Sequence, residues 1–116
     1  MTLFTNSEFS FDLEDKTITF KNISYQSALS TQSAMHLLAT NEPDNVEKGN
    51  QKISAIALKH TIISYKDNNA PVESPSFDLF ATQFQNPFAI TELIAQFARY
   101  VSGFLEKLPS FQNTKV

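Results

Sequence analysis

A chain of 116 residues (13.0 kDa) with 41% hydrophobic, 12% aromatic and 18% charged residues has room for one hydrophobic core, which excludes two full domains and an intrinsically disordered chain. Its formal net charge of -3 and its nine scattered basic residues, of which only Arg99 is an arginine, argue against a nucleic-acid partner, because phosphate binding draws on clustered Lys and Arg. With no cysteine, no basic leader and no long apolar run, the sequence predicts a single domain over residues 1–116, cytoplasmic and without a membrane partner, lacking disulfides, thiolate chemistry and Cys-ligated metal.

In chain order, Phe9, Phe11 and Leu13 alternate with Glu8, Ser10 and Asp12, which places the apolar three on one face of a strand. Glu14, Asp15 and Lys16 supply a polar turn, and Thr17, Ile18, Thr19 and Phe20 resume the alternation, so an antiparallel hairpin is expected. A lone hairpin is marginal in water, so its Phe9, Phe11, Ile18 and Phe20 face needs helices to lie on. Asn22 and Ser24 are both suited to cap a helix carrying Tyr25, Ala28, Leu29, Met35, Leu38 and Ala39, ending near Thr40 before Pro43. Residues 41–50, with Glu42, Pro43, Asp44, Asn45, Glu47 and Gly49, read as a polar connector whose carboxylates keep it in water.

Over residues 51–66, Ile53, Ile56, Ala57, His60 and Ile63 repeat at helical spacing, and Leu58, Ile62 and Tyr65 widen the face. The β-branched run near Thr61 to Tyr65 keeps a strand open as the alternative there. After a second loop, Ser74 and Pro75 read as an N-cap and first-turn proline, followed by Phe77, Phe80, Ala81 and Phe84 at i, i+3, i+4 and i+7. Asn86 and Pro87 repeat that signal before the longest apolar stripe, Ile90, Leu93, Ile94, Phe97, Val101, Phe104, Leu105 and Leu108, which Pro109 ends. Gly103 inside this helix suggests a close packing contact. The expected fold is α+β and predominantly helical, an N-terminal antiparallel β-hairpin packed on a three- to four-helix bundle, with an ordered core over residues 8–108 and a frayed tail over residues 110–116.

Reactive chemistry finds little to work with. His36 and His60, the only histidines, have no ligand-type neighbour at i+3 or i+4, and two glycines in the whole chain rule out a phosphate-cradling loop or a strained nucleophile turn. Asp12, Glu14 and Asp15 cluster beside the hairpin turn without the spacing or pivot glycine of a calcium loop, and read as solvated turn charges. No catalytic, metal or cofactor-binding residue is expected, so no enzyme. Phenylalanine is the informative residue, at eleven positions of 116, with Phe77, Phe80, Phe84, Phe88 and Phe97 close together. Such a stripe fills a core unless some rings stay outside, in which case it drives self-association or partner binding; Phe77, Phe80, Phe84 and Phe88 are the candidate partner-binding residues.

Thr17-Ile18-Thr19-Phe20-Lys21-Asn22-Ile23-Ser24 followed by Ala28-Leu29, and Pro87, Glu92 and Ser102-Gly103 in the last helix, resemble the tail assembly chaperones of long-tailed bacteriophages, the lambda minor tail protein G family. The order of elements over residues 8–108 is similar too. This chain departs from the pattern where Asn86 stands in place of an aromatic before the proline, and in having no tryptophan. The resemblance implies a non-enzymatic protein that coats the helical tape-measure protein, keeps it soluble and helps recruit tail-tube protein, in the host cytoplasm and as a homo-oligomer or with these partners. A small phage or bacterial inhibitor or adaptor that blocks a host enzyme or nuclease is the competing expectation, resting on the acidic balance and the missing catalytic groups, with an acidic patch of Asp12, Glu14 and Asp15 flanking the hairpin as its discriminating test.

Overall fold

A computed structural model describes residues 8–21, 23–66 and 70–106. The hairpin forms as the alternation requires: β1 (Glu8–Leu13) and β2 (Lys16–Lys21) pair antiparallel, Phe9 opposite Phe20 and Phe11 opposite Ile18, around a two-residue turn at Glu14 and Asp15. It is not alone. Strand β3 (Thr61–Tyr65) pairs antiparallel with β2, and the two-residue β4 (Val72–Glu73) pairs with β3, giving a four-stranded sheet in the order β1-β2-β3-β4. The fold is therefore α+β with a sheet wider than the hairpin, because Thr61, Ile62 and Ile63 take the strand that β-branched side chains favour rather than prolonging a helix.

Helix α1 (Tyr25–Ala39) starts at Ser24, whose Oγ accepts the Ser27 amide at 3.0 Å. Helix α2 corrects the expected connector over residues 41–50: it spans Pro43–Lys59, and only Thr40, Asn41 and Glu42 separate it from α1. Pro43 does not merely end α1. It opens α2, where its missing N–H is harmless, and Asp44 in the first turn complements the positive helix end. Asn41 turns the chain in the left-handed region, at φ 62°. The polar side chains of this turn-rich decapeptide lie on the outer side of α2, while Gly49 is buried against α1.

Helix α3 (Phe77–Thr82) is capped by Ser76, whose Oγ accepts the Leu79 amide at 3.1 Å, not by Ser74 as the Ser-Pro signal suggested. Ser74 instead sits at φ 49° and ties β4 back to the core, its amide donating to the Thr61 carbonyl and its hydroxyl to the Lys59 carbonyl. Helix α4 (Ala89–Glu106) follows a turn in which Asn86 Oδ1 accepts the Phe88 amide at 2.8 Å. Leu108, Pro109 and the tail over residues 110–116 lie outside the described residues.

Helices α1, α2 and α4 pack on one another, and the sheet lays its apolar face on α4. The joint is aromatic: Phe20 meets Phe97 edge to face at 5.0 Å between centroids, and Tyr100 stacks on both Phe9 and Phe20 at 5.8 Å. His60 stacks on Phe97 at 6.5 Å and bonds Ser27 Oγ through Nε2 at 3.2 Å. Burial of this ring pushes its pKa below the ordinary imidazole value, and the nearby Lys59 charge acts the same way against the backbone hydrogen bond with Lys21. Among the described residues nothing lies within 4 Å of a Cβ placed on Gly103, so none of them makes the expected close contact there.

Candidate functional site

The candidate site is the surface of α3 and of the turn that leads into α4. A six-residue helix can bury only a narrow ridge, and here that ridge is Phe80, which is fully covered and packs on Phe84 at 4.9 Å between centroids. The four rings proposed from the Phe stripe are thereby divided. Phe80 and Phe84 belong to the core, and Phe77 and Phe88 stand outside it with 51% and 69% of their surface exposed. Leu79, which helical spacing did not single out, joins the exposed pair at 41%. Apolar residues scattered singly on a surface are normal, but three large ones between residues 77 and 88 are a concentration.

Along the sequence, the charge of this stretch has one sign. From Val72 to Ala98 the chain carries Glu73, Asp78 and Glu92 and no Lys or Arg. Cations reach this stretch from elsewhere in the fold: Lys21 and Lys59 line a hollow with Glu73 and Ser74, and Lys16 Nζ lies 5.3 Å from the Phe84 ring centre and 5.9 Å from that of Tyr65 and is paired with Asp15 at 2.9 Å. The Lys16 ammonium holds the exposed Asp15 carboxyl below the usual carboxylate range. Tyr65 in turn donates to Gln83 Oε1 at 2.7 Å, so the hairpin turn and the end of α3 face each other across an open cleft of about 820 Å³.

Glu14 lines one side of this cleft and is exposed at the turn, as a solvated turn charge should be, and it also bonds across to the α3–α4 segment. Its carboxylate accepts the amide of Gln85 through Oε1 at 3.1 Å and that of Asn86 through Oε2 at 2.9 Å. Since Asn86 also receives the Phe88 amide, three hydrogen bonds fasten the segment that carries the exposed Phe88 ring. Glu14 does this from φ 57°, a conformation hairpin turns usually give to Gly or Asn. No spacing rule in the sequence could have linked positions so far apart. Glu14→Ala is expected to lower stability by about 1–2 kcal/mol, charge-assisted bonds being the stronger kind but these lying at the surface, and to speed exchange of the Gln85 and Asn86 amides. Unchanged exchange at those two amides in hydrogen–deuterium experiments would show the clamp to be idle.

Asp12, the third acid of the cluster, accepts the Thr17 hydroxyl at 2.9 Å. Among the described residues no three His, Asp or Glu side chains gather as a metal site, and no helix is long and apolar enough to cross a membrane. No family model matches this chain, and neither a curated protein nor a solved structure does.

Proposed function

We propose that the chain is a non-catalytic protein-binding protein that takes a helical partner through the exposed side chains Phe77, Leu79 and Phe88. The observation that carries this reading is Phe88: a phenyl ring 69% exposed, on a turn fastened by the Glu14 carboxylate rather than left loose. An apolar anchor held in place loses less freedom on binding, which is how a few rigid aromatic residues come to dominate an interface. The acids Glu73, Asp78 and Glu92 of the same stretch suit an amphipathic helix whose apolar stripe is bordered by Lys and Arg. In its specific form the proposal is a phage tail assembly chaperone that coats the tape-measure protein and aids tail-tube assembly. That form draws on the sequence resemblance, and a long helical client accords with exposed apolar side chains in an acidic stretch.

The inhibitor or adaptor reading rests on the acidic balance and the missing catalytic groups, with the acidic surface at the hairpin turn as its test. Asp12, Glu14 and Asp15 all stay exposed there, and their substitution tests this second reading by loss of inhibition. Co-expression with the tape-measure protein of the same genome tests the chaperone. The chain is expected to co-purify with it and keep it soluble, and the double substitution Phe77→Ser with Phe88→Ser to weaken the complex at least about tenfold while leaving the melting temperature in place, since burying even one ring is worth about 1.5–3 kcal/mol. Recovery of free chain alone, or a double variant that binds like the parent, would reject it.

A further inference from the structure

Among the described residues the sheet has one long open edge. Strand β1 ends the strand order, and its six residues run without glycine, proline or bulge in continuous register with β2. The opposite edge, β4, is two residues long. In a hairpin with a two-residue turn the closing pair, here Leu13 and Lys16, exchanges both backbone bonds, and the alternation then commits Phe11 and Phe9 to β2 as well. The Lys21 amide donating to the His60 carbonyl on the other side of β2 has the parity this requires. Glu8, Ser10 and Asp12 therefore aim their N–H and C=O groups outward, where no strand meets them among the described residues.

Two features say what such an edge accepts. On the core side Phe9, Phe11 and Leu13 are only half-buried, whereas their β2 counterparts Phe20 and Ile18 are fully covered, so the helical layer stops short of the edge. On the other side the exposed side chains are Glu8 and Asp12, flanking Ser10. A second copy of β1 centred on Ser10 would set Glu8 against Asp12 of its mate twice over, and like charges directly opposite are destabilising. Acids guard an edge against self-pairing and leave it open to a strand of opposite charge.

We propose that β1 is a docking edge for an extended, basic segment of a partner protein, added antiparallel as a further strand with Lys or Arg facing Glu8 and Asp12 and apolar residues beside Phe9 and Phe11. This surface is separate from Phe77, Leu79 and Phe88, and its failure would leave the α3 reading standing.

The probe is the blocked peptide Lys-Val-Thr-Val-Lys-Val, titrated into the full isotope-labelled chain, with Glu-Val-Thr-Val-Glu-Val as its counterpart. The basic peptide is expected to shift and protect the amides of Glu8, Ser10 and Asp12, and to bind about tenfold more weakly to the Glu8→Gln, Asp12→Asn double variant. Ser10→Pro, which removes an outward N–H and the side-chain bond to Thr19 but no backbone bond of the β1–β2 ladder, is expected to abolish binding with the far-ultraviolet circular dichroism intact. The charge-neutralised variant decides the matter if Ser10→Pro does not fold. Equal binding of both peptides, shifts confined to other surfaces, no binding at millimolar peptide, or a concentration-dependent dimer that the β1 substitutions dissolve would each overturn the proposal, the last by giving the edge to a second copy.

Discussion

Phe97→Ala is expected to be among the most damaging single substitutions in this chain, lowering the unfolding free energy by about 3–5 kcal/mol. The ring is fully buried and stands where three elements meet: Phe20 of β2 approaches it edge to face at 5.0 Å, Tyr100 lies a turn along α4 at 6.1 Å, and His60 beyond the end of α2 stacks on it at 6.5 Å. No neighbour can collapse into the space easily, because Phe20 is fixed by pairing in the sheet and α4 is held by α1 and α2. Against a total of roughly 5–15 kcal/mol for a domain of this size, such a loss brings the fold near its limit, and at about 4 °C per kcal/mol the melting temperature falls by on the order of 15 °C. Phe88→Ala is the control. That ring is mostly in solvent, so its removal should change stability by no more than about 0.5 kcal/mol. Thermal and denaturant unfolding of the two variants separates core from surface within one residue type. A Phe97→Ala protein as stable as the parent would mean that the sheet does not rest on α4 through this ring.

That contrast marks how far the amino-acid pattern could be read. Alternation placed Phe9, Phe11, Ile18 and Phe20 on one face, and helical spacing placed Leu93, Phe97, Val101, Phe104 and Leu105 on another; both faces are where the core forms. Periodicity states which side chains share a side, but it does not state what covers them. Phe77 and Phe80 are three residues apart on α3, yet Phe80 is sealed and Phe77 is half in water, because a helix of six residues meets the body along a single line. The start of α2 was hidden for a different reason. Pro43, Asp44, Asn45 and Gly49 each favour a turn locally, and the helix exists because Gly49, Ile53 and Ala57 make a face that α1 can occupy. Local preference lost to tertiary packing there. The Glu14 clamp depends on a contact between the hairpin turn and the α3–α4 segment, which no local pattern encodes. Thus the exposed anchor of the candidate site was among the named rings, while the reason it is held was not visible.

The two glycines are expected to respond to the same substitution with opposite signs. A Cβ built on Gly49 would lie 2.8 Å from the Ala34 carbonyl oxygen, 2.8 Å from Leu38 Cδ2 and 3.3 Å from Leu37 Cβ. Leucine can rotate away, but the carbonyl belongs to the α1 backbone, so α1 and α2 must move apart to admit even one methyl group. Overpacking of this kind costs about 1–3 kcal/mol, offset by roughly 1 kcal/mol of improved helix propensity, so Gly49→Ala should be destabilised by up to about 2 kcal/mol and Gly49→Val by more. At Gly103 nothing among the described residues lies within 4 Å of the same atom, and its φ is not in the left-handed region. Gly103→Ala should therefore gain roughly 1 kcal/mol from propensity alone. Denaturation midpoints of the two variants, measured side by side, test the helix crossing directly. If Gly49→Ala matched or exceeded the parent, α1 and α2 would not approach through a position that only glycine fits, and the short link of Thr40, Asn41 and Glu42 between them would have to hold a looser pair.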